Sequence, residues 1–451
     1  MFIASDACES ALGNAWNVAA TLPAMARFVV EGGTPLRGEI TPAGNKNEAL
    51  PLIAASLLTE EPVTLRNLPR IRDVRNMLEI AAALGATIED LDAHTVRITA
   101  RDLRSDELPA TLAREIRPSL LFAAPLLHRR KRARLGQPGG DIIGRRRVDS
   151  HFLALGELGA ALDLSTGGFT VTTTGLRGAD IILDEPSVTA TENAILAAAV
   201  AKGRTTLHNA ASEPHVQQLV KGLNAMGAKI AGTGTNTLVI DGVERLRGTD
   251  HTLLGDHMEI GSLIATTAMT HGEVTIKNVV PEHLRMTRFV FGRLGIETEV
   301  RGNDVFIPAR DRYLIESDIG GAVPELKPNV WPGFPTDLTS MATAFATQAE
   351  GVVIIHEWMF EGRLYFVDTL TREMGARIVL ADPHRAVVMG PSALRPAEVR
   401  SPDIRAGMAL LAAALCAKGT SVINNVEQID RGYEELDTRL RALGAKIERA
   451  A

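Results

Sequence analysis

The chain has 451 residues, of which 45% are hydrophobic and 23% are charged, and its formal net charge is -6 at pH 7. This length predicts two domains. The negative charge argues against a dedicated nucleic-acid binder, which needs a strongly basic face. The two cysteines, Cys8 and Cys416, are too few for a disulfide framework or a zinc site and favour a reducing, cytoplasmic compartment. No apolar run reaches the roughly 18 residues that a membrane span needs.

Residues 1–25 read as an N-terminal extension, and their sequence says nothing about chemistry. A secretory signal would begin with basic residues, whereas this segment carries Asp6 and Glu9. We therefore exclude it from the predicted fold.

After the extension, one unit recurs six times with a period of about 70 residues. The unit comprises a short β-branched strand, a polar turn, an amphipathic helix, a Leu-Gly or Met-Gly pair and a further strand. A more apolar helix, such as TENAILAAAVAKG or IRAGMALLAAALCAKG, precedes the strand and is predicted to be buried. The repeated glycines are Gly85, Gly159, Gly227, Gly295, Gly375 and Gly444. Six such units predict an α/β fold divided into two lobes of three.

Basic residues recur in the polar turns and at the starts of the apolar helices. A helix N-terminus carries a partial positive charge, so cations there are unfavourable unless an anion lies between them. The pattern predicts an anion site, and ordinary surface arginines are the alternative. The residues are Arg72, Arg146, His215, Arg285, Arg363 and Arg431 in the turns, with Lys46, Arg117 and Arg405 at helix starts.

Several motifs follow one another in the order LRGEITPAGNKNEALPLIAASLL, PGGDIIGRRRVD, PSVTATEN, GFPTDL, FEGR and QIDRGYEELDTRLRALGAKIER. With them, the chain resembles the enolpyruvyl transferases from about Phe28 to its C-terminus. The resemblance implies a two-lobed inside-out α/β barrel built from six similar repeats, three per lobe, with the active site between the lobes. We place one lobe at residues 46–254 and the other at residues 26–45 plus 255–451. No metal and no cofactor are expected.

The resemblance implies transfer of the enolpyruvyl group from phosphoenolpyruvate to a hydroxyl of a uridine nucleotide. Lys46, Arg146 and Arg431 are expected to meet the donor phosphate. Arg363 and Arg405 are expected to meet its carboxylate, and Arg117 to lie near a mobile loop. A donor with several negative charges needs cations in a water-poor cleft, so the resemblance agrees with the anion site predicted from the turns.

Transfer by addition and elimination requires a base for the attacking hydroxyl and an acid for C3 of the donor. Lys46 and Asp337 match catalytic positions of the family, Asp337 being the base. Asp141 stands where the family usually carries an acidic cysteine, so we expect resistance to the epoxide fosfomycin. The alternative for Asp141 is a turn-forming role like that of Asn67 and Asn209.

The acceptor site is matched with more departures than the donor site. Arg147 stands where the family usually has proline, Gly362 where it has asparagine and Leu121 where it often has tryptophan. Thr189 stands where the family usually has glycine, and threonine would be strained there if the backbone had positive φ. The acceptor therefore stays open between the 3-hydroxyl of UDP-N-acetylglucosamine, for peptidoglycan and cell-wall synthesis, and the 3′-hydroxyl of UMP, for nucleoside-antibiotic synthesis. A non-catalytic nucleotide-binding paralogue is the third reading, and neither nucleic acid nor membrane is an expected partner. The matched acceptor positions are Asn47, Arg146, Arg147, Val148, Asp149, Ser187, Val188, Thr189, Thr336, Asp337 and Met359.

Overall fold

The computed structural model describes residues 26–141, 143–164 and 167–450, so the predicted extension at 1–25 lies outside it. The helices are α1 (Lys46–Ala55), α2 (Arg72–Leu84), α3 (Ala110–Ala113), α4 (Ala123–Arg130), α5 (Asp149–Glu157), α6 (Val188–Ala198), α7 (Pro214–Ala225), α8 (His257–Met269), α9 (Arg285–Arg293), α10 (Thr339–Ala346), α11 (Phe366–Arg372), α12 (Ile404–Cys416) and α13 (Leu436–Ala442). Short 3₁₀ segments at Arg117–Phe122, Thr336–Leu338 and Val426–Arg431 carry further residues of interest. None of the helices in the described ranges is long and apolar enough to cross a membrane.

The strands are β1 (Arg27–Gly32), β2 (Arg37–Ile40), β3 (Val63–Arg66), β4 (Thr87–Asp92), β5 (Thr95–Thr99), β6 (Arg132–Leu135), β7 (Ala160–Asp163), β8 (Phe169–Thr173), β9 (Asp180–Ile182), β10 (Arg204–His208), β11 (Lys229–Ala231), β12 (Thr237–Asp241), β13 (Thr249–Thr252), β14 (Glu273–Ile276), β15 (Glu299–Arg301), β16 (Asp304–Ile307), β17 (Glu325–Leu326), β18 (Gly351–His356), β19 (Ile378–Asp382), β20 (Arg385–Gly390), β21 (Glu398–Arg400), β22 (Gly419–Asn424) and β23 (Lys446–Ala450).

Over the described residues these strands form six small sheets. Their strand orders are β21-β22-β1-β23, β11-β12-β10-β9, β13-β3-β5-β4, β15-β16-β14-β2, β17-β18-β20-β19 and β6-β8-β7. In each four-stranded sheet, one edge strand is parallel to its neighbour and the other neighbouring strands are antiparallel. In one of these sheets, for example, β13 is parallel to β3, with Leu65 opposite His251. The three-stranded sheet is antiparallel throughout and belongs to the most divergent copy of the repeat. The predicted six-unit α/β fold is confirmed.

The repeated glycines follow the amphipathic helices, and all six have positive φ, from +79° to +116°. A left-handed residue just after a helix lets backbone N–H groups reach the last carbonyls, and glycine adopts that conformation without a steric penalty. At Gly85, for example, the N–H donates to the Ala82 carbonyl at 3.0 Å. The glycines thus end each helix and turn the chain into the next strand.

The apolar helices lie inside the sheets, as their all-round hydrophobicity predicts. Helices α8, α10 and α12 pack against one another, and α6 packs against α4 and α7. The buried apolar residues form two clusters, one drawn from residues 49–253 and the other from residues 28–40 and 258–447. This separation supports the predicted lobes at 46–254 and at 26–45 plus 255–451, and the boundaries themselves stay a prediction.

Candidate active site

A cavity of 580 Å³, here called the cleft, is lined by side chains that belong to both clusters. The cations predicted to bind the donor all line it: Lys46, Arg117, Arg146, Arg363, Arg405 and Arg431. Helix starts and 3₁₀ segments position most of them, Lys46 on the first turn of α1 and Arg405 on the first turn of α12. By contrast, Arg72 and Arg285 from the same repeated pattern do not line the cleft. Arg72 is half exposed and pairs with Glu115 at 2.9 Å.

Asp337 lies between the two arginines predicted to bind the donor carboxylate. Its oxygens lie 2.9 Å from an Nη of Arg363 and 3.0 Å from Nε of Arg405. Burial alone would raise the pKa of Asp337, but the charges of Arg405 and Arg363 outweigh it and hold that pKa well below its usual range. In this state Asp337 is a carboxylate and a weak base.

The turn that carries Asp337 is fixed by Glu357, whose side chain is fully buried. One oxygen of Glu357 accepts hydrogen bonds from the hydroxyls of Thr336 at 2.7 Å and Thr339 at 2.9 Å. Its other oxygen accepts from the backbone N–H of Met359 at 3.0 Å. Glu357 thereby ties the Asp337 turn to the segment that precedes Arg363, a role that the motif comparison missed.

Asp73 is a second buried carboxylate in the cleft, and the sequence analysis also missed it. It lies 2.7 Å from Nζ of Lys46 and 3.0 Å from Nε of Arg431, so it joins cations that come from the two different halves of the molecule. Burial acts to raise the pKa of Asp73, and the charges of Lys46 and Arg431 lower it overall. The sequence signal for Asp73 is its place next to Arg72, on the first turn of α2.

Asp141 also pairs with Arg431, through Nη1 of the guanidinium. Its loop contacts the opposite side of the cleft, where the Gly362 N–H donates to the Ile143 carbonyl at 2.8 Å. Asn67 and Asn209 both have φ of +56°, the left-handed backbone that turn-forming asparagines adopt. Asp141 is not among the described residues with positive φ, so its backbone differs from that of Asn67 and Asn209.

Arg117 and Arg146 are held next to each other at the base of this loop. Arg117 donates to the carbonyl of Arg146 at 3.1 Å and to that of Arg147. Burial, reinforced by the charge of Arg146, lowers the pKa of Arg117 to about 10. Burial likewise lowers the pKa of Arg146. An anion in the cleft would relieve this crowding of positive charge.

Most of the residues expected to bind the acceptor also line the cleft: Asn47, Arg146, Arg147, Ser187, Val188, Thr189, Thr336, Asp337 and Met359. Two do not. Val148 packs against the cluster of residues 49–253, and Asp149 is largely exposed and pairs with Arg147 at 3.1 Å. Asp149 is the first residue of α5, and of this ion pair only Arg147 lines the cleft.

The strain that Thr189 would suffer at positive φ does not arise. Thr189 lies in α6, one residue after its start, and its hydroxyl is 3.0 Å from Nε2 of His151. A helical backbone has negative φ, which threonine adopts without a clash. The condition for strain, a positive φ at this position, is not met because α6 begins at Val188, one residue before Thr189.

Apolar helices are buried inside six repeated sheets, and cations converge on one cleft. This combination of fold and site is that of the enolpyruvyl, or carboxyvinyl, transferases. The family model for EPSP synthase (3-phosphoshikimate 1-carboxyvinyltransferase) matches residues 30–440. The chain belongs to this family.

Similar proteins narrow the comparison. The UDP-N-acetylglucosamine 1-carboxyvinyltransferase of Treponema denticola is 51% identical over 94% of this chain and 99% of its own length. The enzyme of the same name from Bradyrhizobium diazoefficiens is 53% identical over 94% of this chain and 98% of its own length. Among solved structures, the enolpyruvyl transferase NikO from Streptomyces tendae has a TM-score of 0.84 at 26% identity, covering 95% of this chain and 99% of that one. EPSP synthase from Acinetobacter baumannii shares the fold, with a TM-score of 0.72 at 16% identity. The match covers 94% of this chain and 100% of that one.

Proposed function

We propose that this chain transfers the enolpyruvyl group of phosphoenolpyruvate to the 3-hydroxyl of UDP-N-acetylglucosamine and releases phosphate, the first committed step of peptidoglycan synthesis. The observation that carries the donor is the convergence of Lys46, Arg146, Arg363, Arg405 and Arg431 on one cleft. The names of relatives about 50% identical to this chain support the acceptor. A cytoplasmic location, expected from the cysteine content, belongs to the same proposal.

In the addition step, the acceptor hydroxyl oxygen bonds to C2 of the donor while C3 gains a proton, giving a tetrahedral ketal. Asp337 takes the hydroxyl proton, and Asp141 in its acid form supplies the proton to C3. In the elimination step, C3 loses a proton, the bond from C2 to the phosphate oxygen breaks, and phosphate leaves. The product is an enol ether, and the reaction consumes no oxidant, reductant or cofactor.

The carboxylates of Asp73, Asp141 and Asp337 each pair with one or more of these cations in the cleft. A donor carboxylate that binds Arg363 and Arg405 would compete with Asp337 for them. Asp337 would then lose the charges that make it a weak base. Donor phosphate at Arg431 would likewise compete with Asp141 for that guanidinium and free Asp141 from the ion pair. Donor binding thus prepares both proton-transfer groups.

The test is incubation of the protein with phosphoenolpyruvate and either UDP-N-acetylglucosamine or UMP, with phosphate release and product mass measured. We expect phosphate and an enolpyruvyl adduct with UDP-N-acetylglucosamine, and neither product from an Asp337→Asn control. An adduct on UMP alone would overturn the acceptor. Absence of phosphate with both nucleotides would indicate a non-catalytic paralogue.

A further inference from the structure

Tyr433 is a buried residue beside the cleft that has no part in the chemistry above. It follows Arg431 by two residues and is 1% exposed. Its phenol oxygen lies 3.1 Å from Nη1 of Arg405 and 2.8 Å from Oγ of Ser262. Arg405 lies on the first turn of α12, and Ser262 lies within α8. Tyr433 therefore connects a cation of the donor site to a buried helix.

The hydrogen bonds in this series run in one direction. A guanidinium can only donate, so the phenol oxygen of Tyr433 accepts from Arg405. Ser262 donates its hydroxyl hydrogen to the Met258 carbonyl at 2.9 Å, which leaves its oxygen to accept from the phenol. Burial raises the pKa of Tyr433, so the phenol keeps the hydrogen that this arrangement requires. Each hydrogen bond polarises the next, which makes the phenol oxygen a stronger acceptor for Arg405.

Asp337 and Tyr433 contact different nitrogens of the Arg405 guanidinium. Asp337 lies 3.0 Å from Nε, whereas Tyr433 contacts Nη1. A carboxylate binds arginine most strongly through two parallel hydrogen bonds, and Nε and Nη2 form one such pair of donors. The donor carboxylate can therefore replace Asp337 at Nε while Tyr433 keeps its bond to Nη1. Cζ of Arg405 also lies 5.5 Å from the centre of the Tyr433 ring, which is within the range of a cation–π contact.

We propose that Tyr433 is a positioning residue for the donor, which holds Arg405 in place when the donor carboxylate displaces Asp337. This inference rests on the proposed function and deepens it. Asp337 gives up its bond to Arg405 when the donor binds, so the guanidinium needs a second partner that stays. Since Tyr433 is two residues from Arg431, one short segment fixes a cation for each end of the donor, the phosphate and the carboxylate.

The experiment is steady-state phosphate release with saturating UDP-N-acetylglucosamine and varied phosphoenolpyruvate, and then with the two substrates exchanged. Tyr433→Phe keeps the ring and its contact with Arg405 and removes only the hydroxyl. Ser262→Ala keeps the phenol and removes its acceptor. Tyr313→Phe is the matched control, because the Tyr313 hydroxyl is also buried but has no hydrogen-bond partner among the described residues and does not line the cleft.

We expect Tyr433→Phe to raise KM for phosphoenolpyruvate about tenfold, because Arg405 loses a hydrogen bond that involves its charged group. The value of kcat and KM for the nucleotide should stay within about twofold, since the lost bond acts on donor binding alone. Ser262→Ala should raise the donor KM about threefold, because the phenol remains but is less polarised. Tyr313→Phe should match the wild type.

Two results would overturn the inference. One is a wild-type donor KM in Tyr433→Phe, and the other is an equal increase in KM for the donor and the nucleotide. If Tyr433→Phe does not fold, the decision falls to Ser262→Ala, whose donor KM would then have to be unchanged for the inference to fail.

A double-mutant cycle with Arg405→Lys separates positioning from a general loss of packing. A residue that acts through Arg405 loses its influence once Arg405 is replaced, so Tyr433→Phe should change the donor KM little in the Arg405→Lys background. Independent effects of the two substitutions, which would multiply in KM, would show that the hydroxyl does not act through Arg405.

The two proposals fail in different ways. If the wild-type chain forms the adduct with UDP-N-acetylglucosamine while Tyr433→Phe keeps the wild-type donor KM, the positioning role fails and the proposed function stands. If the wild-type chain releases no phosphate from phosphoenolpyruvate with either nucleotide, the proposed function fails and the positioning role fails with it.

Discussion

The contact between Gly362 and the Asp141 loop allows a quantitative test of how the loop is held. A Cβ atom at position 362 would lie 2.7 Å from the carbonyl carbon of Ile143, and 3.0 Å from both the Ile143 oxygen and the Gly144 nitrogen. These are backbone atoms, so no side chain can rotate away to make room. Gly362→Ala should therefore push the loop off and break the 2.8 Å hydrogen bond from the Gly362 N–H to Ile143.

The size of the effect follows from the cost of inserting one carbon into a packed contact, about 1–3 kcal/mol. At 1.36 kcal/mol for each factor of ten, this is a loss of about 5- to 150-fold in the population of the docked loop. If docking places Asp141 for proton transfer, kcat falls by up to that factor. Gly362→Asn, which restores the residue usual in the family, should be at least as harmful here because it adds the same Cβ atom.

The assay is steady-state phosphate release with saturating phosphoenolpyruvate and UDP-N-acetylglucosamine, together with titration of the nucleotide alone. The expected result is a lower kcat with nearly unchanged affinity for UDP. Gly292→Ala serves as the control, since a Cβ atom there meets nothing within 4 Å. A Gly362→Ala variant with wild-type kcat would show that the loop contact does not position the acid.

Three further predictions concern carboxylates of the cleft. Fosfomycin should cause no time-dependent inactivation of the wild-type chain, because Asp141 offers no thiolate to the epoxide. The Asp141→Cys variant should become sensitive to the drug. Covalent inactivation of the wild type would contradict this prediction. Asp73→Asn should raise KM for phosphoenolpyruvate at least fivefold and lower the melting temperature, because it leaves Lys46 and Arg431 without their shared partner. An unchanged steady-state KM would count against a role for Asp73 in positioning these two cations. The pKa of Glu192 is raised in the folded state, so the stability it contributes is complete below about pH 4.3 and declines as pH rises through the folded pKa. Melting curves of Glu192→Gln should therefore fall less steeply with pH than those of the wild type, and parallel curves would refute the shift.

The repeated architecture could be predicted from sequence because its signals are local. A glycine that must adopt positive φ after a helix, and a helix that is apolar all round, are set by neighbouring residues within one or two turns. The same holds for Asp256 and Asp403, whose side chains cap the starts of α8 and α12. The cations of the donor site were found because their motifs surround these local features.

Tertiary structure decided which side of each element faces the cleft. Arg72 and Asp73 are neighbours on α2, yet Asp73 enters the cleft and Arg72 points toward Glu115, since successive residues on a helix point in directions about 100° apart. Asp149 pairs with Arg147 and is not among the residues that line the cleft. The buried carboxyl of Glu357 accepts hydrogen bonds from Thr336 and Thr339, which lie 21 and 18 residues away in the sequence. The orientation of a helix depends on packing against segments distant in sequence, and periodicity within the helix does not contain that information.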